Sequence, residues 1–366
     1  MTKPLDIVFL GLSLSSSWGN GHATTYRALI KGLRQDGHRI LFLERDVPWY
    51  ASHRDLVSPE FCDLAYYTDV DVMIGLHGDR LRGADAVVVG SYVPDGVALI
   101  DKLERLGPKR FCFYDIDTPV TLAKLDRGDE EYLALRQILL FDAYFSFSGG
   151  TVLTLLERSY GARRAIALYC SVDESRYADT GEPKCWDLGY LGTYSQDRQP
   201  TLERLLLEPA RRLPSMRFVV AGPRYPAGID WPANVQRIEH LAPAAHASFY
   251  TRQRFTLNVT RSDMIAAGWS PSVRLFEAAA CGTPVISDFW QGQDQLLPDG
   301  EALIIARGPE DVVAVLTELA DSDRAAIAAA ARRRVMDGHT GLARAGEFAR
   351  TLSELPVNRA YERISA

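Results

Sequence analysis

The stretch "GWSPSVRLFEAAACGTPVISD" (residues 268–288) combines a helix start, an apolar helix and a strand. Ser270 is a favourable N-cap residue, and Pro271 suits the first position of a helix. The following run is rich in Ala, Leu and Phe, yet it carries Arg274 and Glu277 one turn apart. "CGTP" ends this run, and "VIS" is typical of a buried strand. The stretch therefore predicts a helix and strand of an α/β sheet.

The start of this helix is a candidate anion site. The backbone N–H groups of Ser272 and Val273 would point out of the first turn, where the helix dipole favours negative charge. The guanidinium of Arg274 can bind a phosphate through two hydrogen bonds. Spacing alone nevertheless favours a simpler interpretation, in which Arg274 and Glu277 form a surface pair that contributes ~0.2–0.5 kcal/mol.

The composition limits the class of protein. The chain has 366 residues, of which 47% are hydrophobic, so it can form two cores. A net charge of −6 argues against nucleic acid as the main partner. The five cysteines form no C-x-x-C pair, which fits a reducing cytoplasm. We expect no signal peptide and no transmembrane segment, while peripheral membrane contact and the oligomeric state stay open.

The order of apolar runs predicts two sheet domains. Short strands alternate with helices in both halves, a pattern typical of doubly wound parallel sheets. We assign residues 1–174 to an N-terminal domain and 183–344 to a C-terminal domain, with a final helix (345–366) that returns to the first. Ligands of such sheets bind where the strands end, so we expect a cleft between the carboxyl ends of the two sets of strands.

Beyond its periodicity, "SPSVRLFEAAACGTPVISD" resembles the nucleotide-binding segment of two-Rossmann (GT-B) glycosyltransferases. Its form "RLFEA" resembles the CgeB-like (spore-maturation-type) branch of the family 1/4-type glycosyltransferases. The resemblance covers most of the chain, and further segments carry it: "SVDESRY", "YLGTYSQDR", "FVVAGPRYP", "LNVTR" and "LPDGEALI". It implies an α/β fold with two Rossmann-like doubly wound domains facing a cleft.

The resemblance also implies a donor site in the C-terminal domain. Its ligand would be a nucleoside-diphosphate sugar, with UDP favoured, and no cofactor would be needed. Glu277 would hold the ribose, while Ser272, Val273 and Arg274 would face the diphosphate. Retaining relatives carry a second Glu eight positions before the ribose Glu, where this chain has Trp269.

Other strand ends supply further donor-site candidates. Arg198 and Arg224 are candidates to add positive charge near the phosphates, with a plain surface arginine as the alternative at each position. His240 and Leu241 lie where relatives hold the nucleobase. In the first domain, Gly19, Asn20 and Gly21 follow the first strand, and their backbone groups would approach phosphate or sugar closely. This loop is not a dinucleotide fingerprint, because no G-x-G-x-x-G is present.

The first domain also carries candidates for acid–base chemistry. His22 opens the helix after the glycine loop and would be able to act as a base. Asp115 and Asp117 end a strand at i,i+2, which predicts that both carboxylates point the same way. We favour an acceptor-binding or catalytic role for this pair, with a turn cap before Pro119 as the alternative and a metal site as the weakest interpretation.

These features together predict a metal-independent, retaining glycosyltransferase. Arg274 and the helix start would stabilise the charge that develops on the leaving diphosphate. The acceptor, a small molecule, polysaccharide or protein, would enter from the first domain near Asp115, Asp117 and His22. The alternatives are a sugar-nucleotide epimerase and a non-catalytic sugar-nucleotide-binding protein on the same fold.

Overall fold

The computed structural model describes residues 3–18 and 21–357. The chain divides into two compact units. Unit 1 contains the residues up to Ser171 and those from Gly341 onward, and unit 2 is Val172–Thr340. Each unit contains a wholly parallel sheet, so the predicted α/β class is confirmed.

Unit 1 holds a seven-stranded sheet in the order β3-β2-β1-β4-β5-β6-β7. Its strands are β1 (Asp6–Gly11), β2 (Arg39–Arg45), β3 (Asp63–Tyr67), β4 (Ala86–Gly90), β5 (Phe111–Asp115), β6 (Ala143–Ser146) and β7 (Ala165–Ala167). Its first helices are α1 (Gly21–Gln35), α2 (Pro48–Ala51), α3 (Val70–Gly83), α4 (Gly96–Leu106), α5 (Thr118–Asp126), a 3₁₀ turn (Leu135–Leu140) and α6 (Thr151–Arg158).

Unit 2 holds a six-stranded sheet in the order β10-β9-β8-β11-β12-β13. Its strands are β8 (Trp186–Leu191), β9 (Phe218–Ala221), β10 (Val235–Ile238), β11 (Gln253–Asn258), β12 (Val285–Ser287) and β13 (Ile304–Ile305). Its helical segments are α7 (Gln199–Leu202), a π-helical turn (Glu203–Leu207), α8 (Glu208–Arg212), a 3₁₀ turn (Pro243–Ala245), α9 (His246–Thr251), α10 (Ser262–Ala267), α11 (Val273–Ala280), α12 (Gln293–Leu296), α13 (Pro309–Glu318) and α14 (Asp321–Gly338).

The last described helix, α15 (Gly341–Glu354), packs on α1 within unit 1. Glycines make this close approach possible. A Cβ added at Gly32 would lie 2.4 Å from the Gly341 carbonyl oxygen, and one added at Gly341 would lie 2.2 Å from that of Ala28. On the same side, Phe348 of α15 stacks on Phe9 of β1, with ring centroids 5.8 Å apart. The helix therefore completes the core of unit 1.

Both sheets reverse their strand order at one point, between β1 and β4 in unit 1 and between β8 and β11 in unit 2. Loops at the carboxyl ends of these strands diverge there, which leaves a crevice for ligands. The segment 63–83, which forms β3 and α3, was not anticipated from the sequence, because β3 is a short and only half-buried edge strand. Across the described residues, none of the helices has the length and apolar character that a membrane span requires.

Candidate functional site

The start of α11 differs from the sequence expectation. The helix begins at Val273 with Ser272 as its N-cap, so the prediction of Ser270 and Pro271 in these positions was wrong. The Ser272 hydroxyl accepts hydrogen bonds from the backbone N–H of Arg274 (3.4 Å) and from its guanidinium (3.1 Å). Ser270 is fully buried and donates its hydroxyl to the Gly268 carbonyl. The N–H groups of the first turn therefore begin two residues later than predicted.

Trp269 explains this shift. Its φ of 42° lies in the left-handed region, which a bulky residue rarely adopts, and its N–H donates to the Gln291 carbonyl. The indole N–H donates to Gln295, and the ring lies against Gly292, where an added Cβ would meet it at 2.4 Å. The chain therefore turns at Trp269 and stays extended through Ser272 before the helix starts.

Glu277 lies in a polar pocket inside unit 2. Its side chain is buried, with 5% of the residue exposed, and it accepts a hydrogen bond of 3.1 Å from the Tyr250 hydroxyl. Tyr177 also hydrogen-bonds Glu277, and its hydroxyl lies 3.1 Å from Nδ1 of His246. Burial lowers the pKa of His246, while the negative charge of Glu277 opposes that shift. These partners fix the carboxylate that the sequence assigned to the ribose.

Three arginines converge near the point where the strand order of unit 2 reverses. Arg198 follows β8, Arg261 follows β11, and Arg274 lies in the first turn of α11. The pKa of Arg198 is lowered by its burial and, in addition, by the charges of Arg274 and Arg261. One nitrogen of Arg198 donates to the Thr193 carbonyl at 2.7 Å, and its buried Nε has no hydrogen-bond partner.

This group of guanidiniums, hereafter the arginine cluster, is Arg198, Arg261 and Arg274. Asp197 offsets part of its charge. Among residues 3–18 and 21–357, none of the three arginines forms an ion pair with a carboxylate. Like charges held close together at low dielectric repel one another. An anion bound between them would relieve that repulsion.

The other predicted donor residues, Arg224, His240 and Leu241, are not part of the arginine cluster. Arg224 is exposed, has a left-handed backbone (φ 68°), and precedes Tyr225. The charges of Arg198 and Arg274 both act on Tyr225, whose pKa is raised by burial. His240 is exposed after β10, and the Leu241 backbone forms a hydrogen bond with His246.

In unit 1 the structure brings together two candidates that are 95 residues apart in sequence. Nε2 of His22, in the first turn of α1, lies 2.9 Å from Oδ2 of Asp117. The His22 side chain is 9% exposed and the Asp117 side chain 35%, so Asp117 is the more accessible partner. Tyr92, whose φ is 62°, meets the His22 ring edge-on at 5.5 Å. The pair therefore lies at the carboxyl ends of β1, β4 and β5.

Asp115 differs from Asp117 in position and surroundings. β5 ends at Asp115, and Asp117 occupies the N-cap position of α5, so the prediction that both point the same way from a strand was wrong. Asp115 is completely buried and accepts hydrogen bonds from Tyr144 (2.6 Å), Thr121 (2.8 Å) and the backbone N–H of Asp117 (3.1 Å). Burial raises its pKa to about 6. The hydrogen bond from the Asp117 N–H to the Asp115 carboxylate therefore helps to fix the backbone at Asp117.

Of the predicted glycine loop, Gly21 is the first residue of α1, and Gly19 and Asn20 lie outside the described residues. Within the described chain, no three His, Cys, Asp or Glu residues are grouped so that they would hold a metal ion. Sequence reasoning missed Tyr250 and His246, and it quoted Tyr177 only within a motif. Their contacts with Glu277 join distant segments, and no local pattern marks such contacts.

The fold of this chain is similar to the structures of GT-B glycosyltransferases. Sucrose-phosphate synthase from Thermosynechococcus elongatus is similar with a TM-score of 0.74 and 12% identity, covering 96% of this chain and 99% of that one. HepE from Anabaena in complex with UDP-glucose is similar with a TM-score of 0.66 and 13% identity, covering 96% and 100%. An alpha-glucosyltransferase bound to UDP-glucose and DNA gives a TM-score of 0.69 and 13% identity, with the same coverage.

The sequence itself is similar to one family. Residues 198–350 match the family described as "Glycosyl transferase-like". This segment includes the whole arginine cluster, Glu277 and the first ten residues of α15. No curated protein sequence matches the chain. The two-Rossmann GT-B architecture is thus confirmed, and assignment to the CgeB-like branch stays a prediction.

Proposed function

We propose that this protein is a glycosyltransferase that moves a sugar from a nucleoside-diphosphate sugar to an acceptor hydroxyl. The observation that carries the proposal is the arginine cluster at the strand-order reversal of unit 2. Arg198 is buried and Arg274 half-buried, and within the described residues neither these two nor the exposed Arg261 pairs with a carboxylate, which suits the cluster to a diphosphate. Residues 198–350, which include the arginine cluster, match the glycosyl transferase-like family, and this match supports the proposal.

The donor site follows from the residues around the cluster. Arg274 lies in the first turn of α11, where N–H groups and the helix dipole also favour an anion. These groups would stabilise the charge that develops on the diphosphate as the bond between the sugar and its β-phosphate breaks. Because guanidiniums supply this charge, we propose that transfer is independent of metal. Glu277, oriented by two tyrosines, would accept hydrogen bonds from the ribose hydroxyls.

We favour UDP as the nucleotide. Structures of HepE and of an alpha-glucosyltransferase similar to this chain contain UDP or UDP-glucose. One of these proteins was also crystallised with DNA. For this chain we propose a different acceptor class, because its net charge of −6 disfavours binding to a polyanion.

The acceptor chemistry is assigned to unit 1. The His22–Asp117 pair would bind the acceptor hydroxyl and take up its proton, and the acceptor oxygen forms a bond to the anomeric carbon as the diphosphate leaves. Asp117 is the member of the pair that is more open to substrate, and Asp115 fixes it through the backbone N–H. A base held in this way typically contributes about 10²–10⁴-fold to rate.

We propose that the anomeric configuration is retained, as the resemblance of the donor helix implies. Retention requires that the acceptor oxygen attack from the face that the diphosphate leaves, whereas a single displacement from the opposite face gives the alternative, inversion; the proton of the acceptor hydroxyl would pass to the His22–Asp117 pair in both. The proton coupling constant of the new glycosidic bond distinguishes the two outcomes directly.

The test is incubation with UDP-glucose, UDP-galactose and UDP-N-acetylglucosamine, with and without a panel of saccharide and small-molecule acceptors. Acceptor-dependent release of UDP in the presence of EDTA supports the proposal. Conversion of the donor to its isomer would instead identify an epimerase. Tight nucleotide binding without any turnover would identify a non-catalytic binding protein.

A further inference from the structure

Three aromatic side chains lie side by side on unit 1, hereafter the aromatic shelf: the exposed Trp18 and Trp49 and the half-buried His53. The His53 ring lies between the two indoles, with centroid distances of 4.9 Å to Trp18 and 5.2 Å to Trp49. Trp18 is 46% exposed and Trp49 55% exposed. Large aromatic side chains exposed side by side commonly mark an interaction surface.

The loop that carries Trp18 is held by buried charge. Glu44, at the end of β2, is completely buried. Its carboxylate accepts the backbone N–H groups of Leu14 (2.6 Å) and Ser15 (2.9 Å), together with the hydroxyls of Ser13 and Ser15. Because an uncompensated buried carboxylate is costly, these four bonds fix the loop strongly.

An ion pair ties this loop to the segment that carries His53. Arg27 of α1 binds Asp55 through two hydrogen bonds of 2.7 and 2.9 Å and also donates to the Leu14 carbonyl. Asp55 accepts the backbone N–H and the hydroxyl of Ser17. The Ser16 hydroxyl donates to the His53 carbonyl at 2.8 Å. The shelf is therefore pre-organised rather than a chance exposure of three rings.

A short stretch of chain separates the shelf from the candidate acceptor site. Trp18 precedes His22 by four residues, so their Cα atoms are at most about 14 Å apart along any chain path. A second sugar unit of an acceptor whose hydroxyl reaches the His22–Asp117 pair would fall within this distance.

The chemistry of the shelf fits a saccharide. One face of a pyranose ring presents C–H groups, which pack on the electron-rich face of an indole, while its edge carries hydroxyls. Polar groups rim the stack, namely Ser17, the exposed hydroxyl of Ser52 and the Asp55 carboxylate, whose side chain is 44% exposed. The Asp55 carboxylate is already bound by Arg27 and Ser17, while the hydroxyl oxygens of Ser17 and Ser52, which donate within the protein, keep lone pairs that can accept from sugar hydroxyls.

We propose that the aromatic shelf binds a pyranose ring of the acceptor, so that the acceptor is a saccharide of two or more units. This inference rests on the proposed function, since it names the acceptor class of the same reaction. The shelf acts by stacking and positions the chain of sugars whose terminal hydroxyl reacts.

Saturation-transfer NMR on the full chain tests this directly, with cellobiose, maltose, lactose and N,N′-diacetylchitobiose as probes. We expect at least one disaccharide to receive saturation at its ring C–H protons. The signal should fall about tenfold in Trp18→Ala and Trp49→Ala, the order expected for the loss of an aromatic stacking partner. Trp18→Phe should restore most of it, and Leu76→Ala, which removes an exposed apolar side chain of α3, should leave it unchanged.

The readouts separate this inference from the proposed function. With a working acceptor, Trp18→Ala should raise the acceptor KM about tenfold at unchanged donor KM and unchanged UDP affinity. The inference is overturned if no disaccharide binds the wild type, or if binding survives both alanine variants, even when UDP binds and is released normally. Absence of UDP binding in every variant would instead contradict the proposed function.

Discussion

The two sheets share a strand order but differ in the charge at their carboxyl ends. In unit 2 the strand-order reversal carries the arginine cluster. In unit 1 the corresponding strand ends carry carboxylates, an imidazole and tyrosines, with His22 paired to Asp117. We therefore propose that one scaffold provides a cationic site for the donor in unit 2 and a site that takes up the acceptor proton in unit 1.

On this proposal, function depends on a few side chains at strand ends rather than on the fold. A diphosphate requires positive charge, whereas an acceptor hydroxyl requires a group that accepts its proton. Each type of variant below should therefore affect one of the two tasks and spare the other.

The largest effect is expected in unit 1. Asp117→Asn removes the accessible carboxylate of the His22–Asp117 pair, so kcat should fall about 10²–10⁴-fold. UDP affinity, measured by titration calorimetry, should stay unchanged because the arginine cluster is intact. Asp79→Asn, at a highly exposed position, is the matched control. If Asp117→Asn has the same kcat as the wild type, the His22–Asp117 pair takes no part in the reaction.

The next effect concerns stability and pH. Burial raises the pKa of Asp115 from 3.8 to about 6, so the folded state holds this proton more tightly than the unfolded chain. Its contribution to stability is complete below about pH 4 and is lost as the pH rises through about 6, a difference of ~3 kcal/mol.

Urea titrations across this range measure that change. The free energy of unfolding of the wild type, relative to Asp115→Asn, should decrease as the pH rises, since the variant lacks the titrating group. A difference between the two proteins that is constant with pH would show that Asp115 does not titrate in this window.

A smaller effect is expected in unit 2. Arg274→Ala removes a charged hydrogen-bond donor, which should weaken UDP binding by ~1.5–3 kcal/mol, or about 10- to 150-fold. The exposed Arg333 provides the control, because Arg333→Ala makes the same change in net charge away from the cluster. If both variants bind UDP like the wild type, Arg274 has no role in the donor site. If Arg274→Ala has the melting temperature of the wild type, the loss of Arg274 affects binding and not folding.

The smallest effect is expected at Tyr177. Tyr177→Phe removes one hydroxyl that contacts Glu277, so the preference for UDP over 2′-deoxy-UDP should shrink by ~0.5–1.5 kcal/mol. Calorimetry with the two nucleotides measures this ratio. Equal losses for both nucleotides would assign Tyr177 a structural role instead of an orienting one.

Sequence analysis identified the elements of the fold that local residue patterns encode. Buried parallel strands are continuous apolar runs, and so β1, β4 and β5 were identified. Other features depend on tertiary contacts. Ser270 and Ser272 are equally good caps by residue type, and the structure shows Ser272 in this position, three residues after the left-handed Trp269. His22 and Asp117 were each named as candidates, but their hydrogen bond joins positions 95 residues apart.

The central claim is that the arginine cluster of unit 2 binds a diphosphate. Titration calorimetry of the wild type with UDP and with uridine tests it most directly. We expect UDP to bind at least about tenfold more tightly than uridine, a difference of ~1.4 kcal/mol or more that comes from the phosphates. Equal affinities for UDP and uridine, or no binding of UDP, would contradict the account.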